Sequence, residues 1–173
     1  MSVARTAAAA LLTLGIGAAH AAQPWPIDCP DGDFCAGRSV QHLDGGTVVL
    51  ALGWMVGSLE PIMIVGIPGM EIEEVTRIAA PSEVDHHALA IVSATASGAA
   101  IVFELTPAAA IALARGTSLS VHISDLTIDL SLAGSRAALL DSLAAARRER
   151  VARSVKPSPP AVVAPAPVGE LAL

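Results

Sequence analysis

Tyrosine is absent, and tryptophan and phenylalanine contribute two residues each. A surface that reads bases or sugars by stacking on aromatic rings is not expected from such a chain. Charge is scarce as well, at 15% of residues, and its balance is acidic, with a formal net charge of -6. Nucleic acid needs a basic footprint on its partner, so no nucleic-acid partner is expected. The sequence has no Gly-x-Ser-x-Gly, no Ser-x-x-Lys, and no cysteine beyond one close pair. The usual arrangements for nucleophilic catalysis are therefore missing. No glycine-rich phosphate loop is present either, Gly45-Gly46 reading as a turn. Abundance lies elsewhere: 53% of the 173 residues are hydrophobic. The mean hydropathy of +0.62 excludes a chain disordered throughout, because disorder needs low hydrophobicity and high charge. The length suits one domain with appendages.

Residues 1–21 read as an export signal. Arg5 supplies the positive start, Ala7 to Ala18 an apolar run, and Ala19-His20-Ala21 the small-x-small pattern before cleavage after Ala21. No cysteine follows directly, so no lipid attachment is expected. The alanine-rich bias points to the periplasm of a Gram-negative bacterium, or to secretion. Without this segment, nine cations face sixteen acids. Residues 147–173 hold five of those cations and two acids, leaving four cations and fourteen acids in residues 22–146. An acidic body therefore carries a basic C-terminal segment.

Cys29 and Cys35 flank Pro30-Asp31-Gly32-Asp33-Phe34, a turn that brings their ends together. In an exported protein such a pair reads as a structural disulfide. Closing so short a loop contributes about 2.4 kcal/mol in the chain-entropy model. A redox pair usually has Cys-x-x-Cys spacing at a helix start, which this is not. Asp28, Asp31 and Asp33 lack the order and distal glutamate of a calcium loop and read as a solvated acidic turn.

From Gly45 onward short aliphatic runs alternate with turn signals. Strands are expected at 47–56, 62–67, 71–78, 88–93, 100–105, 118–123 and 126–132, with a small-residue turn at 94–99 and a two-residue turn at Ser124-Asp125. Two helices interrupt. Thr106 caps the first, Pro107 opens it and Gly116 closes it, over 107–115. Ser135 caps the second, from about Arg136 to Ser154, with Leu139, Leu140 and Leu143 on one side. The stretch from Thr47 to Ile67 is long enough to span a bilayer, but Ser58, Glu60 and Pro61 in its middle argue against it. No integral membrane span is expected in the mature chain. The expected fold class is all-β: an antiparallel β-sandwich over 22–134, with one short internal helix, a C-terminal helix over 135–156, and a disordered Pro/Ala-rich tail over 157–173.

Trp25-Pro26-Ile27-Asp28-Cys29, with Cys35 soon after, opens a layout that continues through Gly46-Thr47-Val48-Val49 and Ile64-Val65-Gly66-Ile67-Pro68-Gly69. Arg115-Gly116 follows, then Ile128 to Ser135 leading into Ala137-Ala138-Leu139. On these motifs the chain, over about residues 25–145, resembles the invasion associated locus B proteins, small exported proteins of alphaproteobacteria. The resemblance implies a periplasmic or envelope β-sandwich, without catalytic residues to carry over. The family usually has a second cysteine pair in a Cys-x3-Gly-Cys turn; Ala94 and Ala99 stand at the corresponding places here.

The densest polar group is Ser82-Glu83-Val84-Asp85-His86-His87. Glu83, Asp85, His86 and His87, with His122 or Asp125 from another strand, are candidate metal ligands. Adjacent histidines on a strand point to opposite faces, so a hydrated loop is the simpler reading. Asp125 and Asp129 fall on one exposed strand face with no partner to split their titration. No metal, cofactor or catalytic residue is assigned. The leading expectation is a non-enzymatic envelope protein acting by binding or structural support, its partner an unidentified envelope protein or surface component. A pilus-chaperone or adhesin-like sandwich that engages its partner by strand addition is the alternative, and a metal-dependent hydrolase the third.

Overall fold

A computed structural model describes residues 24–155. The expected export signal and the Pro/Ala-rich tail lie outside the described residues. Among the described residues, nine strands precede the first α-helix: β1 (Ile27–Asp28), β2 (Phe34–Leu43), β3 (Gly46–Met55), β4 (Pro61–Gly66), β5 (Ile72–Arg77), β6 (Ser82–Val84), β7 (His87–Ala88), β8 (Ile91–Gly98) and β9 (Ala100–Leu105), with a 3-10 turn at Pro30–Gly32 between β1 and β2. Helix α1 (Pro107–Arg115), strands β10 (Ser118–Ile123) and β11 (Leu126–Ser131), and helix α2 (Ser135–Val155) follow. The strands form two antiparallel sheets, ordered β1-β2-β3-β4-β9-β8-β5 and β11-β10-β6-β7.

Alternation explains the core. Leu50, Leu52, Met63, Val65, Ile101 and Phe103 on one face of the larger sheet meet Val84, Leu119, Val121, Ile128 and Leu130 of the smaller in one buried cluster. The Ser124-Asp125 turn joins β10 to β11 as expected, with Ile123 opposite Leu126. Helix α1 begins and ends where its signals place it, and the Thr106 hydroxyl accepts the Ala109 N–H at 3.2 Å.

Four expectations are corrected. The small-residue turn at 94–99 is strand: β8 runs to Gly98, whose φ of +56° makes the turn into β9. Ala94 and Ala96 are small because they face Phe103 and Ile101 across the ladder. The expected strand at 88–93 is split, with β7 ending at Ala88 and β8 beginning at Ile91. The polar group at 82–87 is a tight hairpin, not a loop. Ser135 does not cap α2; its buried hydroxyl donates to the Leu113 carbonyl at 2.7 Å, and the first helical N–H bond, from Ala138, goes to the Gly134 carbonyl. The sequence also gives no sign of β2, which pairs with β3 along its whole length from Phe34–Met55 to Leu43–Gly46.

Helix α2 is docked on the larger sheet. Ala138 packs where Gly37 of β2 leaves room, and the Trp54 indole N–H donates to the Leu139 carbonyl at 2.9 Å. Further along, Ala145 and Ala146 pack with Cys35 and Val56. Cys29 and Cys35 form the expected disulfide. No helix among the described residues is long and apolar enough to cross a membrane.

Candidate functional site

The two sheets leave a seam. No ladder joins β2 to β11, and the short β1 covers only Ala36 and Gly37 of β2. The backbone of Arg38 points outward, its N–H donating to the Pro26 carbonyl at 3.1 Å. Two-residue alternation turns Val40 and His42 the same way. Across the seam, the Leu132 N–H goes inward to Thr117, so Thr127, Asp129 and Ser131 of β11 face outward.

One side chain bridges the gap. The Gln41 amide donates from Nε2 to the Ser131 carbonyl at 2.8 Å and accepts the Ser131 N–H at Oε1, also at 2.8 Å. These are the two bonds a paired strand residue would supply, here made by a side chain. Trp25 closes one end of the seam, its indole N–H donating to the Ala133 carbonyl at 2.9 Å. On the Trp25 side of the Gln41 bridge lies a cleft of about 580 Å³, reached by Arg38, Val40 and Ser131. On the other side lies one of about 400 Å³, between the Asp44-Gly45 turn and Leu126–Asp129. Arg38 is held by Asp28 at 3.0 Å, an exposed pair that orients more than it stabilises.

The polar residues singled out in the sequence are scattered by the fold. Asp85 and His86 form the β6–β7 turn with φ of 49° and 66°, a left-handed pair that glycine would normally fill. The Asp85 carboxylate holds it there. It accepts the Thr117 hydroxyl at 2.7 Å, the Ser118 N–H at 2.9 Å and the Thr117 N–H at 3.1 Å. These bonds, the Thr117 hydroxyl first, lower its pKa from 3.8 to about 2. His86 and His87 are exposed, and His122 pairs with the Thr127 hydroxyl at 3.0 Å. Glu83 is half-buried in β6 and Asp125 sits exposed in its turn. Asp129 accepts the Ser120 hydroxyl at 2.6 Å. No group of three or more His, Cys, Asp or Glu among the described residues could hold a metal ion. Asp85 is thus a turn staple. Because its pKa is depressed, its contribution to stability is present above about 3.8 and lost as pH falls towards 2. Urea titrations at pH 7 and pH 2 are expected to show Asp85→Asn less stable than the native chain at pH 7, with the difference shrinking at pH 2.

Gln41, Ser131 and Trp25 carry the seam, and none had a signal in the sequence that marked it as functional. No family model, curated protein or solved structure matches the chain.

Proposed function

We propose that this chain is an exported, non-enzymatic β-sandwich of the bacterial envelope that binds an extended peptide segment by strand addition at the seam. The carrying observation is the Gln41 amide, which satisfies the outward edge of Ser131 in the place of a strand. An added strand sits about 4.8 Å from each neighbour, and its backbone would take over those two bonds and also meet Val40, His42, Thr127 and Asp129. Main-chain bonds supply the affinity in this mode, and alternate side chains the choice of partner. The disulfide fits an oxidising compartment. The resemblance to the invasion associated locus B proteins belongs to the same reading, as exported proteins that bind or support.

Calorimetry with an acetylated octapeptide of alternating valine and threonine tests it. Saturable one-to-one binding is expected, absent when every second residue is proline, which cannot donate to a ladder. Gln41→Ala is expected to bind the peptide more tightly, because its amide no longer occupies the slot. Failure of the first peptide to bind, or equal binding of the proline peptide, contradicts strand addition.

A further inference from the structure

A second site stands apart from the seam and rests on nothing there. Helices α1 and α2 meet where the Ser135 hydroxyl bonds the Leu113 carbonyl. From this junction a groove of about 440 Å³ runs between them, with Trp54 and Ala110 among its lining, Ile111 on the α1 side, and Leu140 and Leu143 on the α2 side. Ile111 and Leu140 are 52% and 59% exposed. Bulky aliphatics on both sides of one groove form an apolar surface that water covers poorly.

Two cations line the same groove: Arg115, the last residue of α1, and Arg136, the second residue of α2. Arg115 lies two residues after Leu113 and Arg136 one residue after Ser135, so the Leu113–Ser135 contact brings both to that end of the groove. Residues 22–146 hold only four cations among fourteen acids, and two of the four line this groove. No carboxylate among the described residues pairs with either, whereas Arg38 pairs with Asp28 and Arg153 with Asp33. An apolar trough with an unmatched positive end is complementary to a ligand with an apolar chain and a negative head. Its volume falls in the range of small-molecule sites, about 300–1,000 Å³, which favours one chain over a partner helix or a bilayer surface.

We propose that this groove binds a free single-chain fatty carboxylate, its head held by Arg115 and Arg136 and its chain laid along Ile111, Leu140 and Leu143 towards Trp54. The two tryptophans of the chain give two indole N–H resonances, assigned with Trp25→Phe. Decanoate below its micelle threshold, added to the full chain at pH 7, is expected to shift the Trp54 signal saturably and to leave that of Trp25 in place. The double variant Arg115→Gln, Arg136→Gln is expected to weaken decanoate by at least about tenfold, the effect that losing even one of its two charge-assisted contacts would have. Its response to uncharged 1-decanol stays that of the native chain, which shows the groove still folded. The proposal is overturned if decanoate and decanol bind the native chain alike, or if the double variant binds decanoate as before. It is equally overturned if phosphatidylglycerol vesicles shift the Trp54 signal while free decanoate does not.

Discussion

Replacing Phe103 by alanine is expected to cost the fold about 4 kcal/mol, within the usual range for emptying a buried aromatic site. The ring has no exposed surface and stands on the inner face of β9, between Met63 of β4 and Ala94 of β8. Ala94 is already small to accommodate it, so neither neighbour can fill the space left behind. Urea titration of the disulfide-intact chain measures the effect as a lowered midpoint with an unchanged slope. A loss under about 1 kcal/mol would mean that the two sheets do not enclose a common core.

Gly53→Ala is expected to cost about 3 kcal/mol by the opposite route, overpacking. Gly53 lies in β3 opposite Ala36, and a Cβ there would stand 2.6 Å from the Ala36 Cα and closer still to the Cys35 carbonyl oxygen. Both obstacles are backbone, which cannot swing aside as a side-chain tip can. Cys35 is also tied to Cys29, so β2 has little freedom to retreat. The same titration should show a lower midpoint, and Gly53→Ser should fare no better. A neutral Gly53→Ala would show that β2 can peel from β3 at this point.

Gly116 shows why a local signal can be right for a different physical reason. It ends α1 as its position suggests, yet its φ of -73° needs no glycine. What demands one is space, since a Cβ would run into the Val84 side chain of the facing sheet. The helix was legible because its start signals, Thr106 and Pro107, and its stop signal, Gly116, each act on the chain next to them. The β10–β11 hairpin was legible for a similar reason, through its period-two alternation. β2 was not, because Phe34-Cys35-Ala36-Gly37-Arg38-Ser39 carries no alternation and becomes strand by pairing with β3. At 94–99 small residues looked like a turn, whereas the ladder uses Ala94 and Ala96 to seat Phe103 and Ile101.

The sites divide in the same way. The acidic and histidine cluster at 83–87 was visible as a polar concentration. Its actual work, tying Asp85 to Thr117 and Ser118, depends on β6 lying beside β10. Gln41 was an unremarked polar residue until the fold set it across from Ser131. Arg115 and Arg136 converge only because a hairpin returns the chain to the end of α1. Each of these features thus arises from contacts between segments distant in sequence, which local patterning does not encode.

Amide hydrogen exchange, read residue by residue on the full chain with and without the valine-threonine octapeptide, tests strand addition most directly. The Val40, His42, Thr127 and Asp129 amides should exchange far faster than those of Leu50 and Phe103 in the free chain, then slow sharply once the peptide is bound. Seam amides as protected as the central strands before any peptide is added, or unchanged after it, would contradict the account.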